Sequence, residues 1–295
     1  MSNWKSAYGA LETKAEVRGT HGLPPRSFSG QVLGIIAVKL DYPKLPGNVA
    51  NACTFDYPVC YEVVDFEIEQ LFAGDPAIKQ MIIEAAKKLE AQGVRAIIGA
   101  CGYFAHFQKD VAAAVDVPVF MSSLCQLPVI KAGFARAGSI AVFAADGSSL
   151  NDDLLAQVGS NTERLIIQNV GDMESFAPIR WGGHELDNGK LTDDLCSLAK
   201  GLCQQHPDIK AILLECSDLP PYAAAIQKAT GLPVFDFITL ANWVASAVLQ
   251  KPIPVGSSWR RRSVVLWVCI LKAMIGVLPN APLMGGSEGS SRAVN

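Results

Sequence analysis

The chain has 295 residues, half of them hydrophobic, with 25 Lys and Arg against 28 Asp and Glu for a net charge of −3. That is enough apolar material to bury a large α/β core or two modest ones. With no basic stripe, nucleic acid is excluded as an expected partner and a small-molecule substrate is the partner class that remains.

Residues 1–30 are read as an N-terminal extension. They mix Lys5, Lys14, Arg18 and Arg26 with Glu12 and Glu16 and hold no apolar stretch of the kind a signal peptide needs. From there, short Val- and Ile-rich runs predict strands at 32–38, 59–64, 94–100, 117–121, 139–144, 165–169, 209–215 and 232–235. Stretches of helical period separate them. The clearest is 77–92, where Ile78, Met81, Ile82, Ala85 and Leu89 share one face and Gly93 supplies the stop. Further helices are expected after Gly102, Ser122, Gly147, Leu191, Leu219 and Ile238. Strand and helix in alternation predict an α/β fold with parallel sheets.

Beyond Pro252 the character changes: Trp259-Arg260-Arg261-Arg262 precedes an apolar run from Ser263 to Leu278, followed by a Gly- and Ser-rich end from Gly285. The run contains Lys272 and is shorter than the ~20 residues a membrane-spanning helix requires. No membrane partner is expected, and residues 251–295 are set apart as an atypical tail.

An internal repeat organises the rest. Ala96-Ile97-Ile98-Gly99-Ala100-Cys101 matches Ala211-Ile212-Leu213-Leu214-Glu215-Cys216, and seventeen residues after each cysteine stands Pro-Val-Phe, at 118–120 and 233–235. Both matches lie at an offset of 115. Gly34-Ile35-Ile36-Ala37-Val38 resembles Gly138-Ser139-Ile140-Ala141-Val142 at an offset of 104. The reading is two pseudo-symmetric, Rossmann-like lobes, 31–136 carrying Cys101 and 137–250 carrying Cys216, with an active site in the cleft between them.

Eight cysteines sit singly, without a CxxC pair, and the four histidines have no zinc-ligand spacing. A reducing, cytoplasmic setting and no metal are expected. Cys196 and Cys203, seven apart on one helix face, read as structural, as do Cys60 and Cys125. Cys101 and Cys216 differ in occupying the carboxyl ends of strands, where ligands bind in open parallel sheets. A helix opening after each would lower the thiol pKa and favour thiolate.

On Ile98-Gly99-Ala100-Cys101-Gly102-Tyr103 and Leu214-Glu215-Cys216-Ser217-Asp218-Leu219, supported by Gly34-Ile35-Ile36 and Pro118 to Ser123, the chain resembles the aspartate/glutamate racemase superfamily over roughly Val32 to Gln250. The resemblance implies a cofactor-independent, PLP-free isomerase with a catalytic cysteine from each lobe, and a homodimer. Where racemases of this family often follow their cysteines with Asn-Thr and Thr-His, this chain has Gly102-Tyr103 and Ser217-Asp218, so the substrate contacts of those residues do not carry over. Related enzymes that decarboxylate malonate derivatives keep one catalytic cysteine. Two therefore favour racemisation or epimerisation of a small carboxylate such as an acidic amino acid.

In that reading one thiolate removes the proton next to the carboxylate and the opposite thiol returns one to the other face. Candidate substrate-binding residues are Gly102, Tyr103, Ser122, Ser123, Ser217, Asp218 and Asn51, with backbone N–H groups near Gly102 and Ser217 facing the carboxylate. For Ser122 and Ser123 the role of helix cap comes ahead of a site role, and Tyr103 reads at least as readily as core. Asp41 and Thr54 share the loop of Asn51, where turn chemistry competes with a site role, and Trp181-Gly182-Gly183-His184 reads as a lid or a turn. The alternatives are a decarboxylase of the same superfamily, a binding module without catalysis, and a Rossmann oxidoreductase, which the missing GxGxxG after the first strand disfavours.

Overall fold

The computed structural model describes residues 30–134 and 138–250; the N-terminal extension and the tail set apart above lie outside them. Two four-stranded parallel sheets form. The first contains β1 (Leu33–Val38), β2 (Val59–Val64), β3 (Ala96–Gly99) and β4 (Val119–Phe120) in the order β2-β1-β3-β4. The second contains β5 (Ser139–Ala144), β6 (Leu165–Asn169), β7 (Ile209–Leu214) and β8 (Val234–Phe235) in the order β6-β5-β7-β8. The fold class read from the sequence is the one observed. β1 is buried along its whole length because helices cover both faces, which is why it reads as a continuous apolar run rather than an alternating one.

The helices are α1 (Ile68–Ala73), α2 (Lys79–Gln92), α3 (Gln108–Ala114), α4 (Leu127–Gly133), α5 (Asp152–Gln157), α6 (Ala177–Trp181), α7 (Asn188–Gln205), α8 (Ala223–Thr230) and α9 (Phe237–Val248). α2 buries Ile82, Ala85, Ala86 and Leu89 and ends on Gly93, whose φ of 93° lets its amide reach the Glu90 carbonyl at 2.9 Å. Met81, predicted on the apolar face, is exposed at its edge.

The register of the sheets confirms the repeat at the cysteines and corrects it at the first strand. Ile97 pairs with Val119 and Ile212 with Val234, an offset of 115 on both strands. Gly34, however, pairs with Ile97 while Ala141 pairs with Ile212, so equivalent positions of the first strands lie 107 apart, not 104. The two glycines that suggested 104 do different work. Gly34 gives Leu89 of α2 room to approach the sheet; Gly138 adopts φ 129° just before β5.

The lobes exchange their closing helices. α9, at the end of the second half, buries Phe237, Leu240, Ala241, Val244 and Val248 with Ile35, Ala96 and Ile98 of the first sheet. α4, at the end of the first half, is tied to the second: Arg164 donates to the carbonyls of Phe134 at 3.0 Å and Lys131 at 3.5 Å, and Lys131 Nζ donates to the Asn161 carbonyl at 2.8 Å. A cut between 136 and 137 therefore separates α9 from the sheet it covers and α4 from the residues that hold it, and the described residues fall in one compact unit. No helix among the described residues is long and apolar enough to cross a membrane.

Candidate active site

Cys101 and Cys216 stand one residue beyond Ala100 and Glu215, whose amides close their sheets by donating to the carbonyls of Ile36 at 2.8 Å and Phe143 at 2.9 Å. The chain then turns alike in both lobes. The Cys101 carbonyl accepts from the Phe104 amide, and the Cys216 carbonyl from the Leu219 amide, each at 3.2 Å. Both cysteines line one cavity, with Lys44, Tyr103, Arg180 and Glu215 among the other walls.

Neither turn opens directly into an α-helix. Gly102–Phe107 is a 3₁₀ helix, and Pro220–Tyr222 is another, reached only after three residues. The dipole expected to ionise the thiols is correspondingly weak, and burial prevails. Burial first, then the carboxylate of Glu215, pushes the Cys101 thiol up, against smaller help from the Tyr103 amide and Arg180. Burial, Asp218 and Glu215 push Cys216 well up, and Cys101 adds to the effect. The expectation of a ready thiolate is thus corrected: burial and the neighbouring carboxylates favour the protonated form of both sulfurs.

Asp218 is buried and saturated. It accepts from Tyr42 Oη at 2.7 Å, from the Asn48 amide, and from Cys216 Sγ at 3.5 Å. Tyr42 and Asn48 belong to the loop between β1 and β2, which crosses from the first lobe and is pinned to the second where the Val49 amide donates to the Ser217 carbonyl at 3.4 Å. Gly47 packs tightly against Pro221 at φ 102°, a backbone conformation that residues with a side chain rarely adopt.

Glu215 is the opposite case. It is fully buried, and neither carboxylate oxygen has a hydrogen-bond partner. Burial raises its pKa to about 8, with the charges of Asp146 and Asp218 adding to the shift and the Ala145 amide opposing it. An unpaired ionised carboxylate in such a place costs several kcal/mol. Two cations balance the cavity's charge. Arg180 stacks over Phe72 and Trp181 and pairs with Glu69 at 3.4 Å, while Lys44 lies over the Tyr42 ring.

The other residues expected at the site divide. Gly102 is buried against Glu215, whose carboxylate occupies the space a Cβ would need. Tyr103 lines the cavity, and its hydroxyl donates to the Asp146 carbonyl at 2.6 Å and accepts from the Asp146 amide at 2.9 Å. Ser217 also lines it, with Oγ donating to the Ala100 carbonyl at 2.8 Å.

Ser122, Ser123 and Asn51 are not among the lining residues. Ser122 caps the turn that follows it, accepting from the Leu124 amide at 3.1 Å. Ser123 Oγ donates to the Leu214 carbonyl at 3.1 Å, binding the end of β7 to the first lobe. Asn51 caps Ala52–Thr54, and Thr54 bonds within the same loop to the Asn48 carbonyl at 2.7 Å. Asp41 is exposed. Trp181 ends α6 at Gly182, whose φ is 78°, so this segment begins as a helix stop.

Sequence reading missed Tyr42, Lys44, Asn48, Arg180 and Glu215. Only Glu215 carried a signal, as a charged residue closing an otherwise apolar strand.

The chain matches the Asp/Glu/hydantoin racemase family over residues 68–245. It is 38% identical over 232 residues to dimethylsulfoniopropionate lyase 7 of Emiliania huxleyi (strain CCMP1516), covering 75% of this chain and 68% of that one. It is 36% identical over 265 residues to a dimethylsulfoniopropionate lyase of Durusdinium sp. clade D, covering 87% of each. Unliganded arylmalonate decarboxylase shares the fold, with a TM-score of 0.50 and 18% identity across 77% of this chain and 96% of that one.

Proposed function

The chain belongs to the Asp/Glu/hydantoin racemase family, and from that premise we propose that its cleft acts as a lyase on dimethylsulfoniopropionate, releasing dimethyl sulfide and acrylate. The observation that carries this reading is one cavity holding both cysteines together with Arg180, Lys44 and Glu215. Such a cavity suits a substrate with a carboxylate at one end and a cation at the other.

In the reaction proposed, Cys101 as thiolate takes the proton from the carbon next to the substrate carboxylate. The electron pair of that C–H bond becomes the new C=C bond, and the pair of the Cβ–S bond leaves with sulfur as neutral dimethyl sulfide. Arg180 and Lys44 hold the carboxylate and stabilise the charge that develops on it. The positive charge of Arg180 and the Tyr103 amide both favour the Cys101 anion, whereas the Cys216 thiol is engaged by Asp218, so Cys101 is assigned as the base and Cys216 as a proton-bearing group. The sulfonium opposes the carboxylates that keep Cys101 protonated, so substrate entry itself promotes the thiolate.

A second reading, racemisation or epimerisation of an acidic amino acid, is favoured by the equivalent placement of the two cysteines on the repeat. The test is incubation of the purified protein with dimethylsulfoniopropionate, with gas-phase detection of dimethyl sulfide and NMR detection of acrylate. No product, together with deuterium uptake at Cα of aspartate or glutamate in heavy water, would replace the lyase reading by the second one.

A further inference from the structure

Two carboxylates face the cleft, and their surroundings differ. Asp218 accepts hydrogen bonds from Tyr42, Asn48 and Cys216. Glu215, with no exposed surface, has no hydrogen-bond partner on either oxygen. A buried carboxyl group whose oxygens make no hydrogen bond within normal distance keeps its proton until a ligand supplies positive charge. The walls around the same cavity include Ala100, Ala145, Phe176 and Ile179, which offer no side-chain acceptor. An ammonium group needs three acceptors. A methylated onium needs none, because its charge is spread over methyl groups that pack against apolar surface and brings no N–H to satisfy.

Resting on the lyase reading above, we propose that Glu215 is the counter-ion for the onium end of the substrate, selecting a methylated cation two carbons from the carboxylate. The position of Glu215 fits this role. It immediately precedes Cys216 and packs on Gly102, which follows Cys101, so a cation held there lies between the two strand ends. Arg180 and Lys44 are the positive groups on the cavity wall and receive the carboxylate. Recognition at the two ends is thereby divided between groups of opposite sign.

The test uses two non-reactive ligands of one shape, 3-(trimethylammonio)propionate and 4,4-dimethylpentanoate, the analogue with an uncharged tail, with β-alanine as the ammonium control, measured by calorimetry on the full chain. Wild type is expected to bind the trimethylammonio compound about tenfold more tightly than the analogue without the cation, or better. Glu215→Gln is expected to bring the two affinities within about twofold by weakening binding of the cationic tail while keeping that of the uncharged tail. Glu215→Asp, which keeps the charge, should retain part of the preference.

Equal affinity of wild type for the ligands with and without the cation overturns the proposal, whether or not any variant folds. An undiminished preference in Glu215→Gln also overturns it, and tighter binding of β-alanine overturns the choice of a methylated cation. Dimethyl sulfide release is assayed on the same preparation. A cation preference that depends on Glu215 without such release supports the Glu215 assignment and removes the lyase reading.

Discussion

The carboxylate of Glu215 rests on the Cα of Gly102, so the residue before the second cysteine fills the space beside the residue after the first. The contact joins the two strand ends through a glycine that is buried and has no room for a methyl group. It also sets an unpaired acid beside both thiols, where it opposes their ionisation.

Gly102→Ala is therefore expected to destabilise the fold by about 1–3 kcal/mol, because a Cβ would overlap the Glu215 side chain. The double variant Gly102→Ala with Glu215→Ala should recover most of that loss, since the second change removes the group in the way. Thermal unfolding of both single variants and the double variant measures the coupling. Additive losses would show that the contact does not govern the position.

The two cysteines should respond unequally. Elimination requires one proton to be removed and none to be returned to the opposite face, whereas racemisation requires both thiols. For the lyase reaction, Cys101→Ser is expected to cost about a hundredfold or more in kcat. Cys216→Ser should cost less, through the lost partner of Asp218. Equal and complete loss in both variants would contradict the assignment of Cys101 as the sole base.

Glu215 should leave a pH signature in stability. Its pKa rises from an ordinary 4.5 to about 8 on folding, so between those values the folded state binds the proton that the unfolded state has released. Stability contributed by this group is present at low pH and falls as pH rises through that window, by on the order of 1 kcal/mol per pH unit. Glu215→Gln abolishes this contribution. The melting temperature of the variant minus that of wild type should grow from pH 5 to pH 9; a constant difference would mean that Glu215 is ionised throughout.

The parts of this protein legible in its sequence depend on local pattern. Strand after strand is visible because β1 and β3 throughout, β5 after Ser139 and β7 after Lys210 are buried on both faces, and burial on both faces demands an apolar run. The equivalence of Cys101 and Cys216 is visible because both follow a central strand at a fixed distance from the next one, and sheet register preserves that distance. The first-strand match failed by three residues because glycine serves packing at Gly34 and a positive φ at Gly138, two demands that look alike in a sequence.

What the sequence determined by itself was the alternation of elements, the parallel sheets, the repeat at the cysteines and the strand ends on which they stand. Only the tertiary structure decided what surrounds the sulfurs. Tyr42 and Asn48 reach Asp218 across 176 and 170 residues, and the loop that brings them crosses from one lobe to the other. The direction of the thiol pKa shifts, the absence of partners around Glu215 and the exchange of α4 and α9 between the sheets arise in the same way. Burial and charge depend on which distant segments come together, and local periodicity carries no record of that.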